Sequence, residues 1–169
     1  AFVNYLSDKL NDQTGDIYST DVYPIPHDRP MAAINAVRTM KTAAVKENKP
    51  VWMWLQGTGF AYWMSREPSP RELSCMAYGS LIEGARGIYY FAQMPYTKEC
   101  LDEMRALCVE VDALAPALFS LDPAPDVTSD SPAVLSKAFA QDGVLTILAV
   151  NTTDTSRNVR LTLPQSSGE

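Results

Sequence analysis

The sequence predicts an α/β fold, and two observations lead to that prediction. Short apolar runs alternate, over the first two thirds of the chain, with longer segments whose apolar residues recur every three or four positions. Proline or glycine stands at most boundaries between these runs. Alternating strands and helices imply parallel strands with right-handed crossovers. Half of an eight-stranded α/β barrel and a doubly wound sheet both satisfy this pattern.

The first half of the chain contributes two predicted strands. Residues 1–13 carry apolar side chains at four-residue spacing, which predicts the end of a helix. Residues 16–23 form a strand-like run closed by prolines. A helix over 31–46 follows and ends before Pro50, because proline disfavours helical geometry in the residue before it. Residues 51–56 are the second predicted strand.

The next helix has the clearest start signal in the chain. Ser69 offers a capping hydroxyl, Pro70 suits the first helical turn, and Glu72 stands three residues after the cap. A third strand is predicted over 87–91 and a last helix over 97–114. None of these strands is followed by G-x-G-x-x-G or a P-loop. That absence removes the commonest reason to prefer a nucleotide-binding sheet.

The character of the chain changes after the last predicted helix. We therefore expect an α/β part, 1–121, followed by a small antiparallel β-domain, 122–169. The second part opens with a proline-rich connector and contains three short predicted strands, 134–140, 144–151 and 158–163. Three strands make a marginal sheet at best. They are expected either to pack on the helical part or to begin a longer β-sandwich.

Length and composition exclude several fold and partner classes. A complete eight-fold barrel needs roughly 200 residues or more, so the 169 residues of this chain cannot form one. The formal net charge of −6 argues against nucleic acid or an anionic membrane as partner. No stretch approaches the ~18 apolar residues that cross a bilayer. His27 is the only histidine, so a histidine-rich metal site cannot form within the chain. We expect no metal and no cofactor.

Candidate functional side chains stand at the ends of the predicted strands, where parallel α/β folds bind their ligands. The first strand ends with Asp21 and Tyr23, and the second ends with Gln56. Because side chains alternate along a strand, Trp54 shares a side with Gln56. His27 follows the first strand on a loop. It is expected either to face a ligand or to meet solvent.

The loop after the second strand is rich in aromatic residues. Flat apolar sugar faces stack on aromatic rings, so Trp63 is a candidate for sugar binding. The alternative is that these rings only cover the fold. Arg66 stands beside Glu67. We expect Arg66 to contact ligand or to anchor the loop, and the alternative is a solvated pair with Glu67.

Three segments of the chain carry a family resemblance. They read DIYSTDVYPIP, KPVWMWLQGTGF and REPSPRELSCMAYGSLIEGARGIYYF. Together they resemble the sixth, seventh and eighth strands of retaining (β/α)8-barrel glycoside hydrolases, most of all the β-galactosidase-like relatives, over about residues 12–95. The resemblance implies an α/β fold that is a partial TIM barrel, about strands six to eight with their helices, followed by the small β-domain.

That resemblance also carries expectations about partners. The glycan is the expected ligand, and a secreted or periplasmic location is slightly favoured. Half a barrel leaves sheet edges open. The missing N-terminal half of the same protein, or self-association, is therefore expected to cover them.

The resemblance implies O-glycosyl bond hydrolysis by the intact parent protein. In such enzymes an acid/base glutamate ends the fourth strand, which this chain lacks, and a nucleophilic glutamate ends the seventh. Gln56 stands at the nucleophile position, and a neutral amide cannot attack the anomeric carbon. Asp21 is the nearest substitute carboxylate. Two alternatives stay open: a non-catalytic carbohydrate-binding barrel that has lost the nucleophile, and a structural α/β domain without ligand.

Overall fold

The computed structural model describes residues 2–4, 15–59, 64–91 and 95–164. These residues form an α/β fold with a parallel sheet, three helices and a set of short antiparallel strands. In chain order the elements are β1 (Phe2–Asn4), β2 (Ile17–Asp21), α1 (Met31–Ala44), a 3₁₀ turn (Val45–Glu47), β3 (Val51–Gln56), α2 (Pro70–Glu83), β4 (Ala85–Phe91), α3 (Lys98–Phe119), β5 (Thr128–Ser129), β6 (Val134–Gln141), β7 (Val144–Asn151) and β8 (Leu161–Thr162).

The main sheet keeps its strands in chain order, β1-β2-β3-β4, with every neighbouring pair parallel. Right-handed crossovers in a sheet that advances in one direction return each helix to the same side. Side chains from α1, α2 and α3 accordingly share one buried cluster with β2 and β3. We call the opposite side of β2, β3 and β4 the open face of the sheet.

Side-chain alternation along β3 divides the two faces. Val51, Met53 and Leu55 point into the helix-covered core and are almost completely buried. Trp52 and Trp54 alternate with them and are only half-buried, on the open face. A strand with large apolar residues on both sides is typical of a parallel sheet in which other parts of the protein pack on both faces.

The start of α2 confirms the predicted capping box. The Ser69 hydroxyl accepts a hydrogen bond from the Glu72 backbone N–H at 3.3 Å, and the Glu72 carboxylate accepts one from the Ser69 backbone N–H at 2.8 Å. The helix ends at Gly84, whose φ of 105° lies in the left-handed region that favours glycine. Local chemistry alone therefore fixes both ends of this helix.

The C-terminal β-hairpin packs mainly on the helices, with Ile88 of β4 also at the contact. Strands β6 and β7 form a hairpin around a two-residue turn, with φ of 50° at Asp142 and 79° at Gly143. Phe139 and Leu148 from this hairpin are buried in a second apolar cluster with the end of α2 and the end of α3. The hairpin thus packs on the helical part, which is one of the two arrangements expected from the sequence.

One predicted strand near the end of the chain pairs differently from the expected three-stranded arrangement. The prediction for 158–163 was too long, since only Leu161–Thr162 is a strand. It pairs with Thr128–Ser129, a strand missed in the sequence, and not with β7. The carboxylate of Asp130 holds this pairing by accepting a hydrogen bond from the Arg160 backbone N–H at 2.9 Å.

Several other boundaries also differ from the predictions. The predicted helix over 1–13 is wrong at its start, because Phe2–Asn4 is a strand paired with β2, and residues 5–14 lie outside the described part. Strand β4 begins at Ala85 instead of 87. Helix α3 runs to Phe119 and includes Pro116. Packing of Ala117 and Leu118 against the hairpin stabilises this extra turn and outweighs the backbone hydrogen bond that proline removes.

Candidate functional site

The carboxyl ends of β2, β3 and β4 bring several predicted site residues together on the open face. Asp21 is in register with Trp54, and Trp54 is in register with Tyr89. One step further along, Gln56 is in register with Phe91. Neighbours in register on parallel strands point to the same side of the sheet. Asp21, Trp54 and Tyr89 therefore lie next to one another on the same side of the sheet.

Aromatic rings form two stacks on this face. The Trp54 and Tyr89 ring centroids are 5.0 Å apart at an interplanar angle of 25°. The Tyr23 and Phe91 centroids are 4.7 Å apart at 24°. Tyr89 and Phe91 are 40% and 43% exposed, so both stacks present ring surface to solvent. Stacks of this kind are preferred aromatic geometries, and here they leave a flat apolar surface beside polar strand ends.

Trp52 extends this surface toward the middle of the sheet. Its ring lies 5.1 Å from that of Tyr89, centroid to centroid. It also lies over Gly87 on the neighbouring strand, where an added Cβ would stand 2.7 Å from Trp52 Cδ1. Glycine is therefore required at this position for the indole to lie flat on β4.

Asp21 and Tyr23 form the polar end of the face. The Tyr23 hydroxyl donates a hydrogen bond to the Asp21 carboxylate at 3.2 Å. Burial raises the pKa of Tyr23 well above its usual value, and the charge of Asp21 and this hydrogen bond raise it further. Tyr23 is therefore a neutral donor at physiological pH, and Asp21 is a carboxylate acceptor beside an aromatic surface.

The side chain of Gln56 is fully buried and bound to the loop that follows β2. Its Oε1 accepts a hydrogen bond from the Ile25 backbone N–H at 2.9 Å, and its Nε2 donates to the Ile25 carbonyl at 2.9 Å. Nε2 also donates to the Thr58 carbonyl at 3.1 Å. Both amide hydrogens are thus engaged inside the protein. Gln56 holds the loop, and its amide presents no surface to a ligand.

Arg66 anchors the loop between β3 and α2. Its guanidinium forms a two-point ion pair with Glu72, with both N–O distances 2.7 Å, and donates to the Glu67 carbonyl at 2.9 Å. The hydrogen bonds from Arg66 lower the pKa of Glu72 to about 2. Gly59 packs against this point so closely that an added Cβ would stand 2.5 Å from the Arg66 carbonyl carbon. The predicted anchoring role agrees with this geometry.

Glu67 has a role that the sequence did not indicate. It is not paired with Arg66 through its carboxylate. Instead, the carboxylate accepts hydrogen bonds from the Thr97 backbone N–H at 3.1 Å and from the Thr97 hydroxyl at 2.7 Å, and from the Tyr96 N–H. It thereby binds the N-terminal end of α3, where a negative charge is favourable. Nothing in the local sequence relates residues 30 positions apart.

Two further residues, His27 and Trp63, were predicted as part of the site. His27 is exposed on the loop between β2 and α1. Trp63 lies outside the described residues, as do the neighbouring aromatic residues of its loop. Tyr89 and Phe91, by contrast, were missed as site residues, although alternation along the predicted third strand places them on one side.

Other kinds of site find no support in the described ranges. There, no group of three or more histidine, cysteine or acidic side chains is arranged to hold a metal ion. None of the described helices combines the length and apolar character needed to cross a membrane. The chain matches no protein-family model, no characterised protein and no solved structure.

Proposed function

We propose that this chain is the C-terminal segment of a glycoside-hydrolase-like (β/α)8 barrel, and that the open face of its sheet contributes to a glycan-binding site. The observation that carries the proposal is the arrangement at the ends of three adjacent parallel strands. A carboxylate with a tyrosine donor, Asp21 and Tyr23, lies beside the exposed rings of Tyr89 and Phe91.

The topology supports the barrel over the doubly wound alternative. A doubly wound sheet changes the direction of strand order so that helices cover both faces. Here the order follows the chain and the helices share one face, as in a barrel wall. The open face would then line the barrel interior. The remaining strands, supplied by the rest of the protein or by another copy, would cover its apolar surface and the free edges of β1 and β4.

The chemistry of the open face suits a neutral polyhydroxylated ligand. Sugar rings have an apolar face that stacks on aromatic side chains, and hydroxyl groups around the edge that need polar partners. Tyr89 and Phe91 supply the aromatic surface, and the Asp21 carboxylate accepts hydrogen bonds from hydroxyl groups. The Trp54 ring stacks against that of Tyr89.

Gln56 favours binding over hydrolysis for this segment. A retaining mechanism needs two carboxylates about 5–5.5 Å apart. Among the described residues of the open face, Asp21 is the one carboxylate, and the amide of Gln56 is engaged with Ile25 and Thr58. A non-catalytic carbohydrate-binding barrel is therefore the second candidate. Hydrolysis by the whole protein would need an acid/base group, and a second carboxylate, from outside this segment.

Titration with glycans tests the proposal. Galactosides and glucosides, as single sugars and as oligosaccharides, are added to the chain while tryptophan emission and backbone NMR shifts are recorded. We expect a saturable response at β2 and β4, lost in Tyr89→Ala and weakened in Asp21→Asn. Phe119→Ala is the matched control, since Phe119 is an exposed ring, 55% accessible, at the far end of α3.

The outcomes separate the candidates. No saturable response to any glycan, or an equal response in Tyr89→Ala and the parent, would contradict a glycan site on the open face. Release of a chromogenic leaving group from aryl glycosides, lost in Asp21→Asn, would contradict the non-catalytic candidate. Binding without release would support it.

A further inference from the structure

A small cavity lies between the α/β part and the β6–β7 hairpin, away from the open face. Its volume is about 100 Å³. Its walls are mostly apolar and come from α2, β4, α3 and β6; they include Leu81, Ile88, Val111, Phe119 and Phe139. Two cations, Arg86 and Lys137, line the same cavity. An apolar space bordered by positive charge is an unusual feature in a protein whose net charge is −6.

The cations around this cavity form no ion pair within the described part of the chain. Lys137 is half-buried, with its Nζ 5.2 Å from the centroid of the Phe139 ring. Burial lowers the pKa of Lys137, and the charges of Lys41 and Arg86 lower it further. Within the described part of the chain, none of these three cations forms an ion pair with a carboxylate. The charges of Lys41 and Arg86 therefore repel that of Lys137.

Neighbouring groups do not remove this repulsion. Glu83 is the one acid whose charge favours a protonated Lys137, but Arg38 already binds it at 2.6 and 3.1 Å. Arg86 donates one N–H to the Leu118 carbonyl at the end of α3, and a guanidinium has four further N–H groups. Asp122 and Asp126, which line an adjoining cavity together with Arg86 and Lys137, make no ion pair with either cation.

Lys41 lies against a glycine that lines the cavity. Gly84 lines the cavity, and a Cβ added there would stand 2.7 Å from Lys41 Nζ. The amine of Lys41 thus lies against the backbone at the end of α2, and its charge acts on Lys137. A negative group bound at this point would interact with all three cations, and it would be partly shielded from water by the apolar walls.

We propose that this cavity binds a small carboxylate with a short apolar tail. The carboxylate would lie among Lys41, Arg86 and Lys137, and the tail would fill the space between Ile88 and Val111. A water molecule takes about 30 Å³ of liquid volume, so a cavity of about 100 Å³ suits a tail of roughly three carbons. Butyrate has this size and this polarity.

An NMR titration of the isotope-labelled chain with sodium butyrate tests the proposal. We expect saturable shifts at the amides of Ile88, Val111 and Phe139, and a rise in the thermal midpoint of unfolding. Butan-1-ol carries a similar tail without the charge, n-butylamine carries the opposite charge, and sodium chloride matches the ionic strength. None of the three should reproduce the butyrate response.

Variants of the cationic residues test whether their positive charge is responsible for butyrate binding. Lys137→Met should weaken butyrate binding at least tenfold, whereas Lys137→Arg keeps the charge and should stay within a few-fold of the parent. Lys46→Met is the matched control, because Lys46 is an exposed lysine on the turn after α1 and outside the cavity. Should Lys137→Met fail to fold, Lys41→Met takes its place with the same expected loss.

Three results would overturn the proposal. Equal responses to butyrate and butan-1-ol would indicate plain apolar filling. Equal responses to butyrate and chloride would indicate screening of surface charge. Equal affinity in Lys137→Met and the parent would place the anion elsewhere. Because the glycan titration involves the open face and other residues, its failure and the failure of this proposal are distinguishable.

Discussion

The amide of Gln56 binds both polar groups of the Ile25 backbone, 31 positions earlier in the chain. The Ile25 N–H donates to Oε1 at 2.9 Å, and Nε2 donates to the Ile25 carbonyl at 2.9 Å. This is the hydrogen-bond pattern with which a neighbouring strand would hold the loop. The residue at the expected nucleophile position therefore acts as a structural bridge between the end of β3 and the loop after β2, and its chemistry needs an amide.

Replacing this amide with a carboxylate should destabilise the fold in a pH-dependent way. In Gln56→Glu, an ionised carboxylate would face the carbonyls of Ile25 and Thr58, which donate nothing to it. The loss should be about 3 kcal/mol near neutral pH. Burial raises the folded-state pKa of such a carboxyl above its unfolded value of about 4.3. The folded state then binds more protons, so stability falls as the pH rises above about 4.3.

Urea unfolding of Gln56→Glu at several pH values measures this effect. Gln141→Glu is the matched control, since Gln141 lies at the hairpin turn and makes no comparable buried bonds. A stability difference between Gln56→Glu and the parent that stays constant from about pH 4 to pH 8 would contradict the bridge.

The Arg66–Glu72 ion pair should make the free energy of unfolding depend on pH in the acidic range. Its hydrogen bonds lower the folded-state pKa of Glu72 from 4.5 to about 2. A depressed carboxyl pKa contributes stability above about pH 4.5, and that contribution is lost as the pH falls toward about 2. The Arg66 side chain is 48% exposed and that of Glu72 is 20% exposed, so we expect a contribution of about 1 kcal/mol after screening by solvent.

Arg66→Met tests that contribution. The variant should lose about 1 kcal/mol near pH 7 and little near about pH 2, as measured by urea unfolding. Lys98→Met removes an ion pair with Asp102 in which Lys98 is 82% exposed, and it should change stability by only a few tenths of a kcal/mol. Equal losses for Arg66→Met at both pH values would show that the arginine acts through packing alone.

Gly87 should be required for the position of Trp52. In Gly87→Ala the new methyl group would stand 2.7 Å from Cδ1 and 2.8 Å from Nε1 of the indole. The ring must move, and overpacking of this kind destabilises a protein by about 1–3 kcal/mol. Because Trp52 also contacts Tyr89, the tryptophan emission spectrum should change with the loss of stability.

Gly143→Ala serves as the comparison for Gly87→Ala. Gly143 has φ of 79° and open space around its Cα, so alanine there introduces about 1 kcal/mol of backbone strain and no clash. It should lower stability without altering the emission spectrum. An unchanged spectrum in Gly87→Ala would contradict the close contact between Gly87 and the indole.

Local chemistry explains which features were predictable from the sequence. The capping box of Ser69 and Glu72 acts within four residues, so the start of α2 follows from the sequence alone. Alternation along β3 likewise places Trp52 and Trp54 opposite Met53 without any knowledge of the rest of the fold. The α/β class follows because it depends on such local patterns in succession.

The features that escaped prediction depend on residues far apart in the chain. Phe2–Asn4 has apolar spacing compatible with a helix, but pairing with β2 makes it a strand. Glu67 binds the start of α3 only because the fold brings it to Thr97. Gln56 was interpreted from its position in a family pattern, whereas its buried partner lies on another loop. Tertiary contacts of this kind override local propensity.

Removal of the Phe139 ring should show whether the hairpin and the helices unfold together. Phe139 is 9% exposed and packs in one cluster with Leu81 and Leu118, from the ends of α2 and α3. Phe139→Ala should destabilise the protein by about 3 kcal/mol, since a large buried ring leaves a cavity. Hydrogen exchange should accelerate in the last turns of α2 and α3 as well as in β6 and β7.

Leu145→Ala provides the comparison for Phe139→Ala. Leu145 is a large apolar residue of the same hairpin but is 38% exposed, so its truncation should change stability by less than about 1 kcal/mol. If Phe139→Ala accelerated exchange only in β6 and β7, the hairpin would be an independent unit resting on the helices. Acceleration in both parts means that the cluster joins them into one cooperative fold, because the same buried contacts must break before either part can open.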